Sequence, residues 1–236
     1  MKQEIQVGVS GKVFTHGDFI DRNLPESFLS PWNHWLQTGI ALSQEQLGSE
    51  WLQKYLNAPI WRFALSGNIC GEQSAIGVMI PSVDRVGRYF PLTLVALGNF
   101  SALTALQVEG VWFQKVEELL LTALQEGFHF ENFLKNLNSL PKLTCSLQTP
   151  ANLSHSTQGK MMVALEGEQP FSSEHCQQTL DLLLRAQYGA YSIWATRGSQ
   201  VVSPVSLVCE GLPSTYSIPS LYDGNWKEWG WIASRI

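Results

Sequence analysis

The chain has 236 residues, 44% hydrophobic and only 15% charged, with nine Trp and eleven Phe. That balance belongs to a globular protein and excludes a disordered one, and a fold of this length buries roughly 70–75% of the surface its unfolded chain exposes. A net charge of −5 without any Lys/Arg run argues against nucleic acid and anionic lipid as partners.

"MKQEIQVGVSGKVF" contains no continuous apolar segment and does not read as a signal peptide, and no stretch approaches the length of a membrane span. Cys70, Cys145, Cys176 and Cys209 are far apart and form no C-x-x-C pair, so they read as reduced thiols. A cytoplasmic location is expected.

In chain order, "SPWNHWLQTGIA" predicts a helix with Ser30 as N-cap and Pro31 at its first position, burying Trp32, Trp35, Leu36 and Ile40. A short helix from Ser49 places Trp51, Leu52, Tyr55 and Leu56 at helical spacing and must stop before Pro59. Three strands follow, "IWRFAL", "SAIGVMI" and "FPLTLVAL". The longest helix is expected within 101–126, where Trp112, Val116, Leu119, Leu120, Ala123 and Leu124 form a stripe and Gly127 is a stop. Residues 138–159 read as a long surface loop. Then come a strand "MMVALE", a helix from about Ser172 with Cys176, Leu180, Leu183 and Leu184 on one face, the strand "AYSIWAT", and an edge strand in "VVSPVSLV", since Pro204 cannot donate within a central ladder. These elements predict one domain over 1–236, a layered α/β/α sandwich around a mixed β-sheet.

Motifs that would announce catalysis are incomplete. Gly11-Lys12 lacks the upstream glycine and the following hydroxyl of a P-loop and reads as a turn ahead of a strand. "GVSG" lacks the spacing of a nucleophile elbow, and Ser139-x-x-Lys142 has Pro141 inside a loop. In "FTHGDF", His16 and Asp18 would project to one side of an extended backbone and could begin a metal site, but the remaining histidines supply no second pair at ligand spacing. A structural role is favoured for that pair.

"PSVDRVGR" connects two strands and carries Asp84, Arg85 and Arg88 around Gly87, which is expected to take a backbone angle closed to other residues. Arginine at a sheet end can fork onto a carboxylate or phosphate, so Arg85 and Arg88 are candidates for gripping an acidic or phosphorylated partner. The competing reading is an internal ion network, with Asp18, Asp21 and Asp84 satisfied by Arg22, Arg62, Arg85 and Arg88. The candidate set, for partner binding or for that network, is His16, Asp18, Arg22, Ser82, Asp84, Arg85 and Arg88. Trp32, Trp35, Trp51 and Trp61 read as core, and Trp226, Trp229 and Trp231 as cover for a hydrophobic edge.

"GKVFTHGDFIDRNLP", "PWNHWLQTGI", "WLQKYLNAPIWRFAL" and "GVMIPSVDRVGRYFPLTLVALG" together resemble the TagF (ImpM) family of type VI secretion-associated proteins, most densely over 8–98. "YSIWAT" and "GLPSTYSIPSLYDGNW" extend the likeness more loosely, and Phe14-Thr15 departs from the Leu-Pro that relatives often carry. The resemblance implies a cytoplasmic accessory protein of Gram-negative bacteria that represses secretion after translation. It also implies binding of the forkhead-associated scaffold Fha and a link to the kinase and phosphatase of a threonine-phosphorylation pathway. It carries over no catalytic residues, so neither an enzyme nor a cofactor is expected. The alternatives are a metal-assisted hydrolase using His16, Asp18 and Asp84, and a structural component of the secretion machine.

Overall fold

A computed structural model describes residues 5–143 and 172–234 of the chain. Its centre is a seven-stranded sheet of β1 (Gln6–Gly11), β2 (Ile20–Arg22), β3 (Trp61–Leu65), β4 (Ser74–Ile80), β5 (Leu92–Gly98), β6 (Tyr191–Thr196) and β7 (Val205–Glu210), in the order β2-β1-β5-β4-β3-β6-β7. On one face lie α3 (Ala102–Val108), α4 (Gly110–Thr122), α5 (Phe130–Asn138) and α6 (Ser173–Tyr188); on the other lie α1 (Glu26–Leu47), α2 (Trp51–Leu56) and α7 (Ser220–Asp223).

The layering follows from strand parity. Along β4, Ile76, Val78 and Ile80 join the core under α3–α5, while Ala75 and Met79 join the core under α1. Along β5, Leu92, Leu94 and Ala96 take the first side and Val95 and Leu97 the second. Both strands are buried along their whole length, which is why they read as nearly continuous apolar runs. The layered α/β arrangement is the one expected, with one correction: all described pairings are antiparallel, where a mixed sheet was predicted. Covering both faces with helices is the habit of parallel sheets, and this sheet has the cover without the parallel pairing.

Three helices differ from expectation. Helix α1, with 22 residues, is longer than any helix in 101–126 and begins at Glu26, so Pro31 lies inside it. Proline there removes one intrahelical bond, to the Ser27 carbonyl, while Phe28 and Leu29 ahead of it are buried in the core. The 101–126 region is two helices, broken at Glu109 (φ −88°, ψ 33°), and Leu124 of the predicted stripe lies past the end of α4 and is 48% exposed. Ser172 caps α6 as expected, its Oγ accepting from the His175 N–H. The helix turns a different face inward, however. Leu182 and Asp181 are buried, whereas Cys176, Leu180 and Leu183 are exposed. Asp181 is drawn in because it accepts the Tyr191 hydroxyl and the Arg185 Nε–H.

The other face carries most of the tryptophan. Trp32, Trp35, Phe63 and Trp194 pack as one aromatic group, with Trp32 and Trp194 stacked at 6.1 Å. The C-terminal segment covers its margin: Trp226 meets Trp61 edge-on, Trp229 donates to Asp223, and Trp231 donates to Ser220. Strand β7 lies at the sheet edge, directly after Pro204. "MMVALE" (161–166), Cys145 and residues 144–159 of the predicted loop lie outside the described residues. Among the described residues, no helix is long and apolar enough to cross a membrane.

Candidate interaction surface

The connection between β4 and β5 folds as a tight hairpin. The Gly87 N–H donates to the Asp84 carbonyl at 3.1 Å, the Asp84 N–H donates to the Arg88 carbonyl at 3.0 Å, and Val83 bridges Tyr89. Gly87 adopts φ +85°, the left-handed position that this short hairpin loop assigns to glycine. The expectation for Gly87 therefore holds.

Below the turn, the hairpin is bonded on two sides. The Tyr55 hydroxyl, carried by α2, donates to the Ser82 carbonyl at 2.9 Å and accepts from the Ser82 N–H at 3.0 Å. Ser82 Oγ donates to the Lys12 carbonyl at 2.7 Å. Lys12 follows β1, and Gly11 before it makes the approach possible: its φ is +131°, and a Cβ there would lie 2.1 Å from the Pro91 carbonyl oxygen. Gly11-Lys12 thus ends a strand, correcting the reading that placed it ahead of one.

Asp84 is the hub. Its side chain is 0% exposed, and one oxygen accepts from Lys12 Nζ at 2.8 Å and Arg88 Nε at 2.7 Å. The other accepts from the backbone N–H groups of Val86 and Arg88 at 3.0 and 2.8 Å. Burial by itself pushes this carboxyl upward, but the hydrogen bonds from Lys12, from the Arg88 backbone and side chain and from Val86 outweigh it and hold the group well below the usual carboxylate range. Arg88 continues across the surface, its Nη2 donating to the Gly17 carbonyl, and the Arg85 N–H donates to the His16 carbonyl at 3.0 Å.

The remaining candidates fall beside this hub. Residues 13–19 are not extended: the His16 N–H closes a turn on the Val13 carbonyl, so His16 and Asp18 do not share a strand face. His16 Nδ1 meets the Thr15 hydroxyl at 2.9 Å, and the ring meets Phe130 edge-on at 5.0 Å. Arg22 lies over the same Phe130, 5.8 Å from the ring centre. Asp18 is exposed. Of the ion pairs proposed among Asp18, Asp21, Asp84 and the arginines, Asp84–Arg88 is present, while Arg62 pairs with Glu117 on α4 instead. His16, Asp18 and Asp84 are not gathered as a ligand set, because the Asp84 oxygens are occupied by N–H donors. Among the described residues, no group of three or more His, Cys, Asp or Glu could hold a metal ion.

Lys12 and Tyr55 are the members that motif reading passed over. The signal for Lys12 was a lone lysine between Val9 and Val13 in a buried run, a position that demands a carboxylate partner. Nothing local marked Tyr55 as other than core.

Fold and site together define a layered α/β protein whose antiparallel sheet ends in an arginine-bearing hairpin bound to the segment after β1. Residues 8–140, which contain all of this surface, match the family model described as TagF N-terminal domain, Type VI secretion system-associated. The crystal structure of PA0076 from Pseudomonas aeruginosa PAO1 is similar over 98% of each chain, with 32% sequence identity and a TM-score of 0.81. A comparison with curated proteins found no match. The chain belongs to the TagF family of type VI secretion-associated proteins.

Proposed function

We propose that the protein is a cytoplasmic, non-enzymatic repressor of type VI secretion, acting after translation by sequestering an assembly factor, the forkhead-associated scaffold Fha. The hairpin at 82–88 is the capturing element, with the 16–22 segment beside it. Binding there competes with assembly, and the threonine-phosphorylation pathway acts on the same partner.

One observation carries this reading: an exposed tip stands on an immobilised base. Val86 is 65% exposed and the Arg88 side chain 58%, whereas Asp84, Ser82 and Lys12 beneath them are buried and bonded. A loop held in one geometry loses little freedom on binding, which favours recognition. Family membership supplies the setting.

Capture of purified Fha by Val86→Asp tests the reading. Val86 is exposed, so the variant folds, and a loss of about tenfold or more in affinity is expected for a charge placed in the contact. Unchanged capture would remove the hairpin from the interface.

A further inference from the structure

A second gathering of charge lies outside the hairpin, where the start of β3 meets the end of β6 beside α4. A cleft of about 210 Å³ opens there, lined by Arg62, Glu117 and Arg197 together with Ile60 and Ala195. Strand register brings them together: Arg62 stands opposite Ala195, and Arg197, two residues further on, turns to the same wall.

Arg62 is held but not satisfied. Its Nε–H donates to Glu117 Oε1 at 2.5 Å, its guanidinium carbon lies 5.1 Å from the Phe113 ring centre, and its side chain is only 17% exposed. Nη2 is buried and has no hydrogen-bond acceptor. A buried polar group in that state is exceptional, and because a guanidinium only donates, what it lacks is an acceptor. Arg197 is exposed at the rim of the cleft and makes no hydrogen bond or ion pair among the described residues. Two guanidiniums and one carboxylate line the cleft, a surplus of one positive charge in a chain of net charge −5.

We infer that this cleft binds a small monocarboxylate, whose carboxylate accepts from Arg62 and Arg197 while its short chain lies on Ile60 and Ala195. The inference is independent of what the hairpin captures. Glu117 and Phe113 hold the plane of Arg62, so the fork is set before a ligand arrives. Ile60 and Ala195 are each half-buried and leave apolar surface for the chain. One carboxylate closes the charge balance, whereas a doubly charged phosphate overshoots it next to Glu117.

The test is titration of the full chain with sodium butyrate, sodium acetate and inorganic phosphate at matched ionic strength, followed by NMR of the nitrogen-bound protons. Butyrate is expected to give saturable shifts at the Arg62 Nε–H and at the Thr196 and Gly198 amides, which also line the cleft, with acetate and phosphate binding more weakly. Arg197→Ala, an exposed change that leaves the fold intact, should bind butyrate about tenfold more weakly, as loss of a charge-assisted hydrogen bond requires. Arg62→Lys, which keeps a charge opposite Glu117 without the fork, should abolish saturation. No saturable shift at these groups in the wild type, or wild-type affinity in either variant, would overturn the site. Acetate binding as tightly as butyrate would remove the apolar contact, and tighter binding of phosphate would overturn the carboxylate assignment.

Discussion

Lys12 Nζ and Asp84 Oδ2 stand 2.8 Å apart with side chains 6% and 0% exposed, joining the end of β1 to a hairpin far along the chain. Removing one member of a buried pair strands the other's charge, and this costs on the order of 3–5 kcal/mol. Asp84→Ala should therefore lower the free energy of unfolding by that amount, read as a lower urea midpoint at unchanged m-value. Lys12→Met should cost less, because Arg88 and two backbone N–H groups still serve Asp84. The reverse ranking would show that Asp84 is not the hub.

The same carboxylate makes stability depend on acid. Its folded pKa lies below the unfolded value of about 4, so the unfolded chain binds the proton first as pH falls. The contribution is complete above about pH 4 and is lost as pH descends from there through the folded value. Urea midpoints at pH 7 and pH 3 should converge in Asp84→Asn relative to the wild type. An identical drop in both proteins would assign the acid sensitivity to other groups.

Tyr55 serves Ser82 as donor and acceptor through one oxygen. Tyr55→Phe leaves a buried N–H and a buried carbonyl without that partner, at a cost of about 1–3 kcal/mol for an unsatisfied group. Equilibrium unfolding measures it, and amide exchange at Ser82 should quicken in the variant. Wild-type stability would mean that the base of the hairpin is held without α2.

Two glycines with positive φ should respond differently to a methyl group. At Gly87 nothing lies within 4 Å of the new Cβ, so alanine adds only the left-handed strain of about 1–2 kcal/mol. At Gly11 the Cβ meets the Pro91 carbonyl oxygen at 2.1 Å, and backbone must move. Thermal denaturation should rank Gly11→Ala well below Gly87→Ala.

Much of this architecture was legible where a local pattern and its punctuation agree. Strands β3, β4 and β5, the stop of α2 before Pro59, the cap at Ser172 and the glycine of the hairpin all announce themselves within a few residues. What the pattern hides is set by distant contacts. The start of α1 goes with the burial of Phe28 and Leu29 in the core ahead of Pro31. The inward face of α6 depends on Tyr191 bonding Asp181. The site was half visible: Asp84, Arg85 and Arg88 stand out as charges between two apolar strands, whereas Lys12 gains its meaning only when the sheet brings β1 beside β5.

Effector release by a strain lacking this protein tests the account most directly, because a captor that withholds a scaffold and a part the machine needs have opposite consequences. The account predicts more secretion on deletion, less on overproduction, and no repression when the overproduced protein carries Val86→Asp. Loss of secretion on deletion would contradict it.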